Sequence, residues 1–162
     1  MSHDFHRPLK HVLWALIASF GMGQAALADP VSRAAQAPLL PQYKAECASC
    51  HLAYPPGMLP AASWQRLMSN LQRHFGTDAS VDAAAAKELS AWLSANADTD
   101  RRMRDAPPED RITRSAWFIR EHHEVSAATW QRPAVKGAAN CAACHTRADQ
   151  GDFSERSVRI PR

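Results

Sequence analysis

Cys47-Ala48-Ser49-Cys50-His51 and Cys141-Ala142-Ala143-Cys144-His145 decide the reading of this 162-residue chain, and they hold all four of its cysteines. Two residues between cysteines within a helical turn put both thiols on one side, within reach of the two vinyl groups on one edge of a porphyrin. The histidine that follows can swing under the ring to the iron. Each unit of five residues thus encodes a covalent tether and an axial ligand. The expectation is two haem c groups, bound through thioethers from Cys47, Cys50, Cys141 and Cys144, with His51 and His145 as proximal ligands.

Three other readings of the same cysteines are weaker. Zinc sites pair CxxC with CxxC and do not call for histidine directly after both. A thioredoxin-like redox site wants its CxxC after a strand and opening a helix in a βαβ setting, and no such alternation is present. Two local disulfides would leave both histidines unexplained.

The N-terminus points to export. Arg7 and Lys10 precede the apolar run Val12–Phe20, which is too short to span a bilayer, and Ala26 and Ala28 fit the small-residue pattern of a signal peptidase site. Residues 1–28 are therefore expected to be a cleaved signal peptide and 29–162 the haem-bearing domain, periplasmic and not membrane-spanning. Losing Arg7, Lys10 and Asp4 takes the formal charge from +3 to +2. With a balance this close to neutral and no block of like charge, nucleic acid is not an expected partner.

No stretch alternates at period two, so the fold class expected is all-α with long loops, its helices packed around the two haems. A Pro- and Ala-rich arm, Pro30 to Pro41, leads to a short helical turn at Tyr43–Glu46. The loop Leu52–Pro60 contains three prolines and a glycine, which exclude a helix. Its Tyr54, Met58 and Leu59 are expected to cover the haem edge. Apolar spacing predicts a helix capped by Ser63, running from Trp64 to Phe75 and stopped by Gly76. A second is predicted from Val81 to about Ala95, and a third opens at Pro108-Glu109-Asp110 and ends near Val125. The tail, Thr146–Arg162, reads as polar coil over the surface.

Five histidines remain beyond residue 28: His51, His74, His122, His123 and His145. Two are proximal by motif, leaving three for two distal positions. His74 continues the apolar stripe of its predicted helix, which favours iron over solvent. Periodicity does not separate His122 from His123: His123 follows Ile112, Ala116 and Ile119, whereas His122 follows Phe118. The methionines compete less well. Met58 lies only seven residues past His51, Met68 sits on a core stripe, and Met103 falls in an arginine-rich connector. Bis-histidine coordination at both irons is the expectation, with low potentials because Met in place of His raises the potential of a c-type haem. The distal candidates lie 23 residues from the nearer motif histidine, His74 after His51 and His122 before His145. Chain length allows nearest pairing and crossed pairing alike.

The stretch CASCHLAYPPGMLP, the Trp64 helix ending in Arg73-His74-Phe75-Gly76, the Trp117-Phe118 to Glu121-His122-His123-Glu124-Val125 segment and CAACHTRADQGDF together resemble the small proteobacterial periplasmic dihaem cytochrome c family. The resemblance implies a mainly helical fold, two bis-His haems and electron transfer, and it favours His122 over His123. It also implies a b-type membrane cytochrome as donor and a small soluble monohaem cytochrome as partner. The alternative function is a dihaem enzyme of peroxidase type, with one iron left five-coordinate.

Overall fold

The computed structural model describes residues 38–98 and 105–162. The signal segment, most of the Pro-rich arm and Met103 lie outside them. Five short α-helices run through the described residues: α1 (Pro41–Cys47), α2 (Ala61–Met68), α3 (Ala83–Ala95), α4 (Ala116–Glu121) and α5 (Ala127–Trp130). Single 3-10 turns join them, and among the described residues the only β pairing is three isolated bridges. The all-α architecture with long loops is as expected.

Local chemistry sets the helix starts. Pro41 occupies the first turn of α1, where its missing N–H costs nothing. Asp82 caps α3 by accepting from the Ala84 and Ala85 amides at 2.7 and 3.0 Å. Ser115 caps α4 through the Phe118 amide and Ser126 caps α5 through the Thr129 amide.

Two apolar cores form. The first gathers Tyr43, Ala53, Leu59, Trp64, Leu89 and Leu93, with α2 packed along α3. The second gathers Met58, Trp117, Phe118, Ala148 and Phe153. Tyr54 and Ile112 pack against both, so the cores adjoin. The connector is held to α2 by a two-pronged ion pair, Arg66 Nε and Nη2 donating to the Asp110 carboxylate at 2.9 and 2.6 Å.

Several sequence expectations are corrected. The helix expected from Trp64 to Phe75 starts at Ala61, with buried Ser63 inside it, and stops at Met68. Ser69 and Asn70 propagate a helix poorly, and the chain continues as a 3-10 turn, Leu71–Arg73. No α-helix opens at Pro108: Pro108–Asp110 is a single 3-10 turn with Glu109 and Asp110 at positive φ, and α4 begins only at Ala116. Met58 is buried in the second core, against which Leu52 and Tyr54 also pack.

The tail is more than surface coil. Ala148 and Phe153 are buried in the second core. The last residues return behind the second cysteine motif, where the Arg159 amide donates to Cys144 O at 2.8 Å and the Thr146 amide and hydroxyl both donate to Ser157 O. Arg132 adds a bond to Pro161 O at 2.8 Å. Truncation after Phe153 removes these bonds. At about 1 kcal/mol net for each hydrogen bond, denaturant unfolding followed by circular dichroism should show a loss of about 2–4 kcal/mol. An unchanged midpoint would contradict this role for the tail.

Candidate functional site: two histidine pairs beside two cysteine motifs

The first motif begins at the last residue of α1, Cys47, and continues as a tight turn to His51. The second forms a single helical turn of its own, closed by Cys144 N–H to Cys141 O at 3.2 Å and His145 N–H to Cys141 O at 2.8 Å. No disulfide joins the four cysteines. Burial, with Glu46 adding to it, pushes Cys47 up to about 11, and burial pushes Cys141 up to about 11 as well. Cys144 is also raised by burial. These are neutral thiols at pH 7. A thioredoxin-like site needs the opposite shift, and among the described residues no three His, Cys, Asp or Glu side chains converge as a zinc site requires.

Each motif histidine faces a second histidine. The ring centres of His51 and His74 are 6.1 Å apart, and those of His145 and His122 are also 6.1 Å apart. Metal–imidazole bonds of about 2 Å place the centres of two trans imidazoles roughly 6 Å apart, so each pair has the spacing that one iron between them needs. The Nδ1 atoms of His74 and His145 are buried without a hydrogen-bond partner. Burial lowers the pKa of both histidines, helped at His74 by His51 and Arg111 and at His145 by His122. Both are therefore held as neutral imidazole, the form that binds metal.

The other member of each pair has a fixed tautomer. A carbonyl can only accept, so Nδ1 of His51 donates to Leu52 O at 2.7 Å and Nδ1 of His122 donates to Phe118 O at 2.9 Å. That leaves each Nε2 with its lone pair, as a ligand requires. Stacking sets the ring planes: His51 lies on Tyr54 with centres 4.9 Å apart, and His122 lies on Phe118 at 4.0 Å.

The backbone delivers each distal candidate differently. His74 begins a tight turn with positive φ at Phe75 and Gly76, closed by Thr77 N–H to His74 O at 3.1 Å, the pattern of a type I′ turn. Glycine accepts its position freely, whereas Phe75 at φ +50° is strained by about 1–2 kcal/mol. The Arg111 guanidinium lies over the Phe75 ring at 4.2 Å and offsets part of this. His122 is the residue at which α4 ends. His123 turns away: its side chain is 71% exposed, and its Nδ1 donates to Arg120 O. Met68 packs against the first core.

Residues 43–153 match the sequence profile of the family described as dihaem cytochrome c. The chain belongs to the dihaem cytochrome c family. Solved structures agree. The X-ray structure of a dihaem cytochrome c from Shewanella baltica is 37% identical, with a TM-score of 0.66, covering 75% of this chain and 92% of that one. A dihaem cytochrome c from Rhodobacter sphaeroides is 40% identical, with a TM-score of 0.64, covering 70% and 96%. A second structure of a protein purified from Rhodobacter sphaeroides is 38% identical, with a TM-score of 0.59, covering 72% and 98%. No curated protein matches the chain.

Membership makes this an electron-transfer haem protein carrying two haem c groups, and the paired histidines and neutral thiols fit that cofactor. Among the described residues no helix is long and apolar enough to cross a membrane. Sequence reasoning gave Tyr54 only a covering role. Its ring in fact stacks on His51, and its hydroxyl donates to Ala139 O at 2.7 Å, two residues before Cys141. Burial, then the nearby Cys141, pushes this phenol up to about 12, so it keeps the proton it donates. No spacing rule marks such a residue; an aromatic between a haem motif and Pro55-Pro56 is the only hint.

Because the haems of this family are covalently held, acid–organic extraction of the denatured protein should leave two haems per chain in a pyridine haemochrome assay. Colour that passes into the organic phase would contradict the attachment.

Proposed function

We propose that this dihaem cytochrome c is a periplasmic electron carrier in which His51 and His74 close one iron and His145 and His122 the other. The thioethers come from Cys47 and Cys50 and from Cys141 and Cys144. The observation that carries the reading is the repeated 6.1 Å spacing of facing imidazoles, one pair beside each motif. It favours nearest pairing over crossed pairing, and His122 over the exposed His123.

Bound haem iron supplies a one-electron ferric–ferrous couple. The protein's part would be to hold each iron between two imidazoles, His51 with His74 and His122 with His145, which would leave no open coordination site for oxygen or peroxide. That favours a carrier over a peroxidase-like enzyme. Histidine at all four axial positions also favours low potentials. Hydrogen bonds from Nδ1 to backbone carbonyls make the imidazoles of His51 and His122 stronger donors to a metal. The basic N-terminus followed by a short apolar run supports export to the periplasm. A b-type membrane cytochrome as donor and a small soluble monohaem cytochrome as acceptor complete the proposed route; they follow from the family resemblance.

Substituting either distal histidine tests the ligand set. His74→Ala or His122→Ala should leave one of the two irons high-spin and able, when reduced, to bind carbon monoxide, while His123→Ala leaves the spectrum unchanged. Carbon monoxide binding by the unaltered reduced protein would favour the peroxidase-like alternative.

The ring planes also differ, at 22° between His51 and His74 and 71° between His122 and His145. Near-parallel imidazoles split the iron d orbitals strongly, and near-perpendicular ones leave two of them almost degenerate. The oxidised protein should show two unlike low-spin ferric signals in electron paramagnetic resonance, a rhombic one from the first pair and a strongly anisotropic one from the second. One signal shared by both irons would contradict this arrangement.

A further inference from the structure

Tyr54 touches both cofactor sites at once. Its ring is stacked on His51, with centres 4.9 Å apart and planes 21° from parallel. Its hydroxyl donates to Ala139 O at 2.7 Å, across 85 residues of sequence, and Ala139 is separated from Cys141 only by Asn140. The backbone of Tyr54 is itself anchored, because the Tyr43 hydroxyl donates to its carbonyl at 2.9 Å. Its side chain packs against both apolar cores. Asn140, the intervening residue, is pinned separately by its side-chain amide donating to Val135 O at 3.0 Å.

We propose that Tyr54 is a positioning residue for both redox centres: its ring sets the plane of the His51 imidazole, and its hydroxyl fixes the segment that presents Cys141 to the second haem. The proposal rests on the reading that His51 ligates iron. A rigid phenol is suited to the task, because one short side chain spans from an imidazole face to a distant carbonyl and has few rotamers in which to do so. The two functions are carried by different atoms. The ring carbons act on the first site and the hydroxyl oxygen on the second, so substitution can separate them. The link also fixes the two haem-bearing segments relative to each other, a geometry on which the rate of electron exchange between the irons depends.

The test compares full-length, haem-loaded Tyr54→Phe and Tyr54→Leu variants with the unaltered protein, by ferric electron paramagnetic resonance and by redox titration. Tyr54→Phe keeps the stacked ring and loses only the hydroxyl. The signal of the His122–His145 site and one of the two midpoint potentials should shift, while the His51–His74 signal stays in place. Tyr54→Leu removes the ring as well, and both signals should move. Spectra and potentials unchanged in Tyr54→Phe, with at most a lower melting temperature, would reduce Tyr54 to packing and overturn the proposal. So would a Tyr54→Phe change confined to the first site. Because Tyr54→Phe is nearly isosteric, it decides the matter even where Tyr54→Leu does not accumulate. Failure of the ligand reading is separately visible, since it would appear in the unaltered protein as high-spin iron or carbon monoxide binding.

Discussion

The structure holds two imidazoles opposite each other at a separation that one metal ion could bridge, and does so twice. A CxxCH motif supplies only one of the two, because the residues next to it are committed to the tether. The second must come from elsewhere in the chain and arrive with its lone pair pointing inward. At the first site a tight turn made of Phe75 and Gly76 brings His74 opposite His51, at some cost in backbone strain. At the second site the end of α4 places His122 opposite His145, with Phe118 beneath the ring and Phe118 O fixing the tautomer. The two solutions share spacing and differ in ring orientation.

The five short helices of the described residues cannot bury much apolar surface by packing on one another alone. The two cores are correspondingly small, and neither is independent of the other. Met58 comes from the loop after the first motif and fills the second core. Tyr54 and Ile112 lie against both. The C-terminal residues close the back of the second motif through backbone hydrogen bonds instead of a helix. Porphyrin faces are large and apolar, and two bound haems would add the kind of surface that cores this small lack.

Much of the site was legible in the sequence. CxxCH is a motif with a mechanical reason for every position, and so few histidines remained that the distal candidates could be counted. The matching separations of 23 residues hinted at nearest pairing without deciding it. Periodicity failed where the backbone departed from a helix while the apolar residues kept helical spacing. Leu71 and Phe75 continue the stripe of Trp64 and Leu67, yet Asn70 breaks the helix and Phe75 adopts a left-handed conformation. The same error left His122 and His123 unseparated, because counting from Ile112 assumes one helix through to His123, whereas Ile112–Arg114 is a separate 3-10 turn and extended Ser115 restarts the chain as α4. Counted from the true start of α4, His122 falls one turn after Phe118. The tail was misread because only two apolar residues, Ala148 and Phe153, are buried there, too few to form a pattern. Tyr54 was invisible as a link because its partner lies 85 residues away.

The central claim is that two histidines close each iron. Near-infrared magnetic circular dichroism of the oxidised protein tests it most directly, since the energy of the charge-transfer band of low-spin ferric haem depends on the axial ligand pair. The account predicts bands of bis-histidine energy with an intensity that accounts for both haems. A band at the energy of histidine–methionine ligation, or a high-spin band from an open iron, would contradict it.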